Sequence, residues 1–351
     1  MRQFRLVLVV IGLLVLAACG DGGGGGSDTT SAPGDTTDTT TASGEDLPVV
    51  RLQGLDGGMS ALSIAMIEEQ GFDVANGFQG EFQYIPIDAA AQHFLNGESD
   101  VSFDVGPPDL AVSQNSDYDV VAFSGGARNH NRIITKADSP YDSIEDLVGA
   151  RIGHFGDDST ATLSISLLLG EFHDLDFHED FELVLAAPPA LVDLLASDEV
   201  DAIVSFEPHV SRAKATIEGG VKEIYNPGED FSENVGGTLW TTTVGAFSDW
   251  IDENPDLAQA VLDAWCDAAE YASSNAEDVA TNPAYDDLLG LNDDGKAEFQ
   301  AFLESYQLFS CGWQEGEQEA VAEFLDLMAQ QGVLFTEVPG EVTLTLEGSG
   351  G

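Results

Sequence analysis

The sequence predicts an α/β protein of two lobes, each built on a mainly parallel sheet, and three observations carry that expectation. First, one segment is written twice: 93–107 recurs loosely as 193–208, with Glu98 on Glu199, Asp100 on Asp201 and Pro107 on Pro208, an offset of 101. Each copy reads as the tail of an apolar helix, an acidic turn, a short apolar strand and a turn at proline. A period this long is too great for a small solenoid repeat and suits two similar lobes. Second, strand-like and helix-like segments alternate through most of the chain. Third, about 300 residues remain after the N-terminal region, enough for two cores.

The start of the chain is read as export. Arg2 and Arg5 precede an apolar run from Leu6 to Ala18. At about 1.5 Å per residue that run spans only ~20 Å, short of the roughly 30 Å hydrocarbon core, so 1–18 is a signal peptide rather than a membrane span. The tetrad Leu16-Ala17-Ala18-Cys19 resembles the bacterial lipobox. That resemblance implies cleavage before Cys19 and a diacylglyceryl group on its thiol, placing the protein on the extracytoplasmic face of the cell membrane by a lipid anchor. Residues 19–47, with the glycine run 22–26, read as a flexible tether, because Asp, Thr, Ser and Gly cannot bury enough apolar area to offset ordering entropy. As a coil it reaches roughly 30 Å on average.

Charge sets the surface. The chain has 63 acidic and 11 basic residues. Removing 1–18 takes away two arginines, leaving 63 acidic against 9 basic and a formal charge of −54. Such a surface repels nucleic acid and anionic membrane. The acids are dispersed along the chain, so they read as a solvated face suited to high ionic strength. Binding of cations or of a basic partner is the competing reading.

From residue 48 onward, strands are read at 49–53, 82–87, 101–105 and 120–124, with helices at 61–70 and 89–95 between them. Then follow an extended stretch at 133–136, a short helix at 143–147, and strands at 151–154, 181–185 and 202–205. Helices at 160–169 and 190–196 separate these strands. From 256 to 330 the pattern is almost purely helical, with Ala258, Val261, Leu262 and Trp265 at helical spacing. Apart from Cys19 the cysteines are Cys266 and Cys311. In an exported protein they are a candidate disulfide, with two independent buried thiols as the alternative.

Several stretches resemble one family. Ile67-Glu68-Glu69-Gln70-Gly71-Phe72, the strand and prolines of 95–108, the run 136–153 and Ala186-Ala187-Pro188-Pro189 followed by 201–208 are similar to the type II substrate-binding proteins of bacterial ABC importers. The branch resembled handles nitrate, alkanesulfonates, taurine and the pyrimidine precursor of thiamine. The resemblance covers about 48–250 and implies a type II periplasmic-binding-protein fold with a hinge between lobes. Lobe 1 is then 48–133 and 238–351 with the helical C-terminal region, and lobe 2 is 134–237. It also implies a small-molecule ligand captured by cleft closure, a permease partner, a monomer, and no cofactor or metal.

Ligands of open α/β sheets bind beyond the carboxyl ends of strands. That rule selects Gly58, Met59 and Ser60 after the first strand, where Gly57-Gly58 is either a close backbone approach or a plain turn. It also selects Asp104, Val105 and Gly106 at the repeated strand, with Ser124 after the next. In lobe 2 it selects Asp158, Ser159 and Thr160, where free N–H groups at a helix start can hold an anion and Ser159 can equally be the N-cap. Phe206 and Glu207 end the second repeat, and Trp240 lies in a returning strand. Asp157 and Asp158 would repel an anion there. They either attract a cation, helped by Trp240 or Phe206, or remain solvent-exposed. Arg128, His130 and Arg132 near the first crossing offer compensating charge or hinge ion pairs.

Two other classes are weighed. A Glu207–His209 acid–base pair would make an enzyme, but that spacing is common, and no Gly-x-Ser-x-Gly, His-Glu-x-x-His or P-loop pattern accompanies it. His173 and His178 with nearby acids hint at a metal, yet i,i+5 spacing does not place both imidazoles on one helical face. A solute sensor not coupled to import shares every feature of the receptor reading.

Overall fold

The computed structural model describes residues 47–157 and 159–346. In chain order, lobe 1 opens with β1 (Val49–Leu55), α1 (Met59–Gln70), α2 (Phe72–Ala75), β2 (Gln79–Ile85), α3 (Ala90–Leu95), β3 (Val101–Val105), α4 (Pro107–Asn115) and β4 (Val120–Gly125). The chain crosses into lobe 2 through β5 (Arg132–Lys136) and a 3₁₀ turn, Glu145–Leu147. There it forms β6 (Arg151–His154), α5 (Thr160–Phe172), β7 (Glu182–Leu185), α6 (Pro188–Ala196), β8 (Ala202–Ser205), α7 (His209–Thr216), β9 (Val221–Tyr225) and α8 (Pro227–Asn234). It returns as β10 (Thr243–Phe247) and α9 (Ser248–Glu253). The remainder is helical: α10 (Pro255–Ser274), α11 (Ala276–Thr281), a 3₁₀ turn, Pro283–Tyr285, α12 (Asp286–Leu289), α13 (Asp293–Ser305) and α14 (Glu317–Gln331).

The two sheets have the same plan. Their strand orders are β2-β1-β3-β10-β4 and β7-β6-β8-β5-β9. In each, four strands run one way and the fourth position is filled by a strand running against them, β10 in one and β5 in the other. The opposed strand is in both cases the one that follows a crossover, since it enters its sheet from the cleft side.

The doubled segment is the physical hinge pin of each sheet's register. Arg51 donates from its backbone N–H and Nε to Asp100 Oδ2 at 2.8 and 3.1 Å, and from Nη2 to Oδ1 at 2.5 Å. Arg151 repeats this on Asp201 with 2.9, 3.0 and 2.8 Å. Asp100 N–H and Asp201 N–H return bonds to the carbonyls of Arg51 and Arg151 at 2.9 and 2.8 Å. Each guanidinium also donates to a turn carbonyl, Gly97 O at 2.9 Å and Glu199 O at 2.6 Å. The turns match too: Gly97 and Asp198, 101 residues apart, both hold positive φ, 72° and 60°. A planar fork on a carboxylate fixes angle as well as distance. These forks therefore level the starts of β1 with β3 and of β6 with β8.

Cores follow from the helix faces. The first cluster joins Leu52, Phe103 and Val244 of the lobe 1 sheet to α1 and to Val261, Leu262 and Trp265 of α10. In lobe 2, α5 is apolar all round because two faces are buried. Ala161, Ile165 and Leu169 pack on lobe 2's own sheet, while Leu167 and Leu168 enter a cluster with Val321, Phe324, Leu325 and Met328 of α14 and with Val105 and Leu110 of lobe 1. Thus α14 shares its core with both lobes.

The differences from expectation have local causes. The second strand begins at Gln79 and stops at Ile85, because Pro86 cannot donate to a ladder. The helix expected at 143–147 is a single 3₁₀ turn, closed by Leu147 N–H to Ile144 O. Trp240 lies ahead of the returning strand proper, in an isolated antiparallel bridge to Arg128. Cys266 and Cys311 are bonded with Cα atoms 5.0 Å apart, tying α10 to the segment beyond α13. Among the described residues no helix is long and apolar enough to cross a membrane. The signal peptide, Cys19 and nearly all the tether lie outside the described residues.

The fork predicts an acid-dependent contribution to stability. Arg151 hydrogen bonding holds the Asp201 carboxyl below its ordinary range, against partial burial. A depressed carboxylate stabilises the fold above the unfolded pKa of about 4 and loses that contribution as pH falls through the lower folded value. Asp201→Asn therefore lowers the melting temperature at pH 7, and the gap to the native protein closes as pH is taken well below 4. Melting curves across pH check this.

Candidate functional site

Because the forks level the strand starts, the carboxyl ends of β1, β3, β6 and β8 present two walls. On the lobe 1 wall, Gly58 begins α1 in extended conformation, and Gly58 N–H donates to Leu55 O at 2.9 Å. Met59 and Ser60 are buried. Ser60 Oγ accepts from Leu55 N–H and donates to Asp104 Oδ1, both at 3.0 Å. Asp104, half-buried at the end of β3, is pushed up to about 7 by burial, with the nearby Asp109 charge adding and the Ser60 hydrogen bond opposing. Val105 is buried, and Gly106 N–H is held by Asp109 Oδ2 at 3.0 Å.

The lobes meet at Gly106. A Cβ on this residue would lie 2.5 Å from Thr160 Oγ1 of lobe 2, so any larger residue here would have to displace Thr160 for the walls to approach this closely. Thr160 opens α5, and Ser159 is its N-cap, accepting from Thr162 N–H at 3.2 Å. Ser159 Oγ also donates to Gly156 O at 3.1 Å. Asp158 lies outside the described residues. Its neighbour Asp157 is exposed and turns onto lobe 2, where its Oδ1 is 3.3 Å from His178 Nε2 and 3.5 Å from His154 Nδ1.

The lobe 2 wall is aromatic. Phe206 meets Phe155, His209 and His130 edge-on, with ring centroids 5.2, 5.0 and 6.1 Å apart. Burial pulls both His130 and His209 down to about 4, with Arg132 and Arg212 respectively adding to the effect, so both imidazoles are neutral at pH 7. Glu207 is fully buried. Its Oε2 accepts from Ser211 N–H and Oγ at 3.1 and 2.7 Å, Oε1 has no hydrogen-bond partner among the described residues, and desolvation raises its pKa. Glu207 is therefore bonded to α7 rather than paired with His209. Phe155, which sequence reading passed over, follows β6 in the position that Phe206 takes after β8; that equivalence was its only signal.

Two selected residues stand in the core. Ser124 is fully buried, donates to Gly125 O at 2.7 Å and accepts from Gly312 N–H at 2.8 Å. Trp240 is 1% exposed, packs edge-on against Trp313, and has Arg128 5.9 Å above its ring. Both serve the crossovers. Residues 127–129 are flanked on one side by 239–242 and on the other by 308–310: Asn129 N–H donates to Leu239 O, Thr241 N–H to Ala127 O, Arg128 N–H to Leu308 O and Ser310 N–H to Gly126 O. Asn131 Nδ2 ties the two crossings by donating to Thr241 Oγ1 at 3.0 Å. Among the described residues no His, Cys, Asp or Glu group is placed to hold a metal.

Residues 89–282 match the model of the NMT1-like family. Among solved structures the chain is similar to the periplasmic aliphatic sulphonate binding protein SsuA from Escherichia coli, at 16% identity and TM-score 0.64, covering 84% of this chain and 95% of that one. It is also similar to the alkanesulfonate-binding protein SsuA from Xanthomonas axonopodis pv. citri (16%, TM-score 0.63, covering 85% and 98%). A third likeness is to the periplasmic nitrate-binding protein NrtA from Synechocystis PCC 6803 (14%, TM-score 0.60, covering 82% of each). At these identities the likeness is one of fold, the type II periplasmic-binding-protein fold. No curated protein matches the chain.

The raised Asp104 gives a signed prediction. A carboxyl whose folded pKa lies above its unfolded value favours the fold at low pH and loses that advantage as pH rises through about 7. Asp104→Asn, which cannot ionise, should melt with the native protein below about pH 4. It should then gain over the native protein as pH rises to about 7, and hold a constant lead above that. Melting temperatures from pH 4 to 8.5 test it, and a lead that shrinks with rising pH contradicts the assignment.

Proposed function

The chain belongs to the NMT1-like family, and on that premise we propose that it is an extracytoplasmic solute-binding lipoprotein that captures a small polar organic molecule between its two walls and delivers it to the permease of an ABC importer. The observation that carries the reading is the meeting of the walls at Gly106 and Thr160, which joins a carboxyl-bearing wall to an aromatic one. The fold neighbours are periplasmic binding proteins for sulfonates and nitrate, which supports solute capture and import rather than catalysis. The crossovers 126–131 and 226–242 act as the hinge, and the closed walls present one surface to the permease.

Within that class the wall chemistry favours a nitrogen-bearing aromatic ring, of the pyrimidine kind, over nitrate or a sulfonate. No lysine or arginine stands at 55–60, 104–107, 154–160 or 205–209. Asp104 can accept from a ring amine, and Phe155 and Phe206 flank a flat ligand with apolar edges. Neutral His130, whose Nδ1–H is committed to Arg128 O at 3.0 Å, offers Nε2 as an acceptor, and neutral His209 offers a donor and an acceptor.

A thermal-shift panel of an aminopyrimidine, taurine, methanesulfonate and nitrate tests both levels of the proposal, because a ligand bound only by the native state raises its melting temperature. The aminopyrimidine is expected to shift melting, and Phe206→Ala to weaken it about tenfold. A shift by nitrate or methanesulfonate alone rejects the ring; no shift by any solute rejects the receptor.

The anchor has its own test. Cys19→Ala should move the protein from the membrane fraction to the soluble exported fraction and abolish incorporation of labelled palmitate. Retention of both by the variant overturns the lipid attachment.

A further inference from the structure

A cavity of about 600 Å³ lies against the crossovers, bounded by Arg128, Arg132, Asn226, Lys214 of α7 and Phe302 and Tyr306 of α13. It shares no residue with the strand-end walls. Its composition is out of keeping with the chain: three of the nine basic residues after 1–18 line this one space.

The other cations of the molecule are largely spent. Arg51, Lys136, Arg151 and Lys222 meet their carboxylates at 2.5 to 2.8 Å. Around the cavity only Arg132 is so paired, with Glu223 at 2.5 Å. Arg128 reaches Glu317 at 3.3 Å and Lys214 reaches Glu298 at 3.9 Å. Buried Glu317 takes Arg128 Nη2 on Oε1 and Gln314 N–H on Oε2 at 2.9 Å, so it neutralises part of the Arg128 charge while leaving Arg128 Nε free. Among the described residues Lys214 Nζ makes no hydrogen bond, and buried Nε of both Arg128 and Arg132 lacks a partner. One acid, Glu229, also lines the space and opposes an anion. Beyond about 8 Å at physiological ionic strength the remaining acids are screened; nearby, Glu317, Glu223 and Glu298 offset the three cations and Glu229 adds a fourth acid, so an anion there is held by directed N–H donors rather than by net charge.

We propose that this cavity is a second ligand site, for a small oxyanion or carboxylate, held by Arg128 and Lys214 with Arg132 behind them. The site takes walls from both crossovers, from α13 of lobe 1 and from α7 of lobe 2. An occupant therefore contacts both lobes away from the strand-end cleft.

Titration calorimetry with sodium sulfate and, separately, sodium succinate, each at constant ionic strength, tests the proposal on the purified protein. At least one is expected to give a saturating phase, and which one saturates tells an inorganic occupant from an organic one. Lys214→Gln, at an exposed position, should weaken that phase about tenfold, as loss of one charge-assisted contact does. Arg128→Gln should do the same, and Lys296→Gln, whose partner is Asp286 in another part of lobe 1, should leave it unchanged. Absence of saturation with both anions, or a phase untouched by Lys214→Gln, overturns the site.

Discussion

The architecture depends on one interaction made twice, a guanidinium fork closed on the aspartate that opens the third strand of each sheet. In a chain with 63 acidic and 11 basic residues, two arginines are committed to Asp100 and Asp201. Each fork binds backbone as well as side chain, so it sets register, not merely proximity. A slip of one residue in β3 or β8 would turn Phe103 or Ile203 out of its core and carry the strand end away from the cleft. The level of both walls is decided at the opposite end of the strands.

Much of this was legible beforehand. The third strands match expectation residue for residue, because an acidic turn before a short apolar run and a proline after it leave little freedom. The helical tail was legible from the spacing of Ala258, Val261, Leu262 and Trp265, all buried. What escaped was long-range. The repeat places Asp104–Pro107 and Ser205–Pro208 at strand ends, but no local pattern shows that its acidic turns carry the clamps, Asp100 on Arg51 and Asp201 on Arg151. Ser124 and Trp240 look like strand-end ligands in one dimension, but the segment 308–313, far away in sequence, covers them. Burial by a distant segment leaves no local mark.

Electrostatics divides the molecule into three regimes. On the surface the acids are dispersed and solvated. At the walls, burial pushes imidazoles toward neutrality and the Asp104 carboxyl toward its protonated form, so the cleft is less charged than its composition implies. At the crossovers cations gather. The sequence offers His130 there as compensating charge or a hinge ion pair; burial lowers its pKa to about 4, and it packs edge-on against Phe206 as a neutral ring instead.

Helix α14 has a mechanical consequence. Leu167, Leu168 and Phe231 of the second lobe sit in the same apolar cluster as Val105 and Leu110 of the first, with α14 between them. Two bodies that own parts of one core cannot swing apart freely, since wetting each such side chain costs about 1.5–3 kcal/mol. Hinge opening at the crossovers that leaves this cluster dry must keep α14 packed on both lobes.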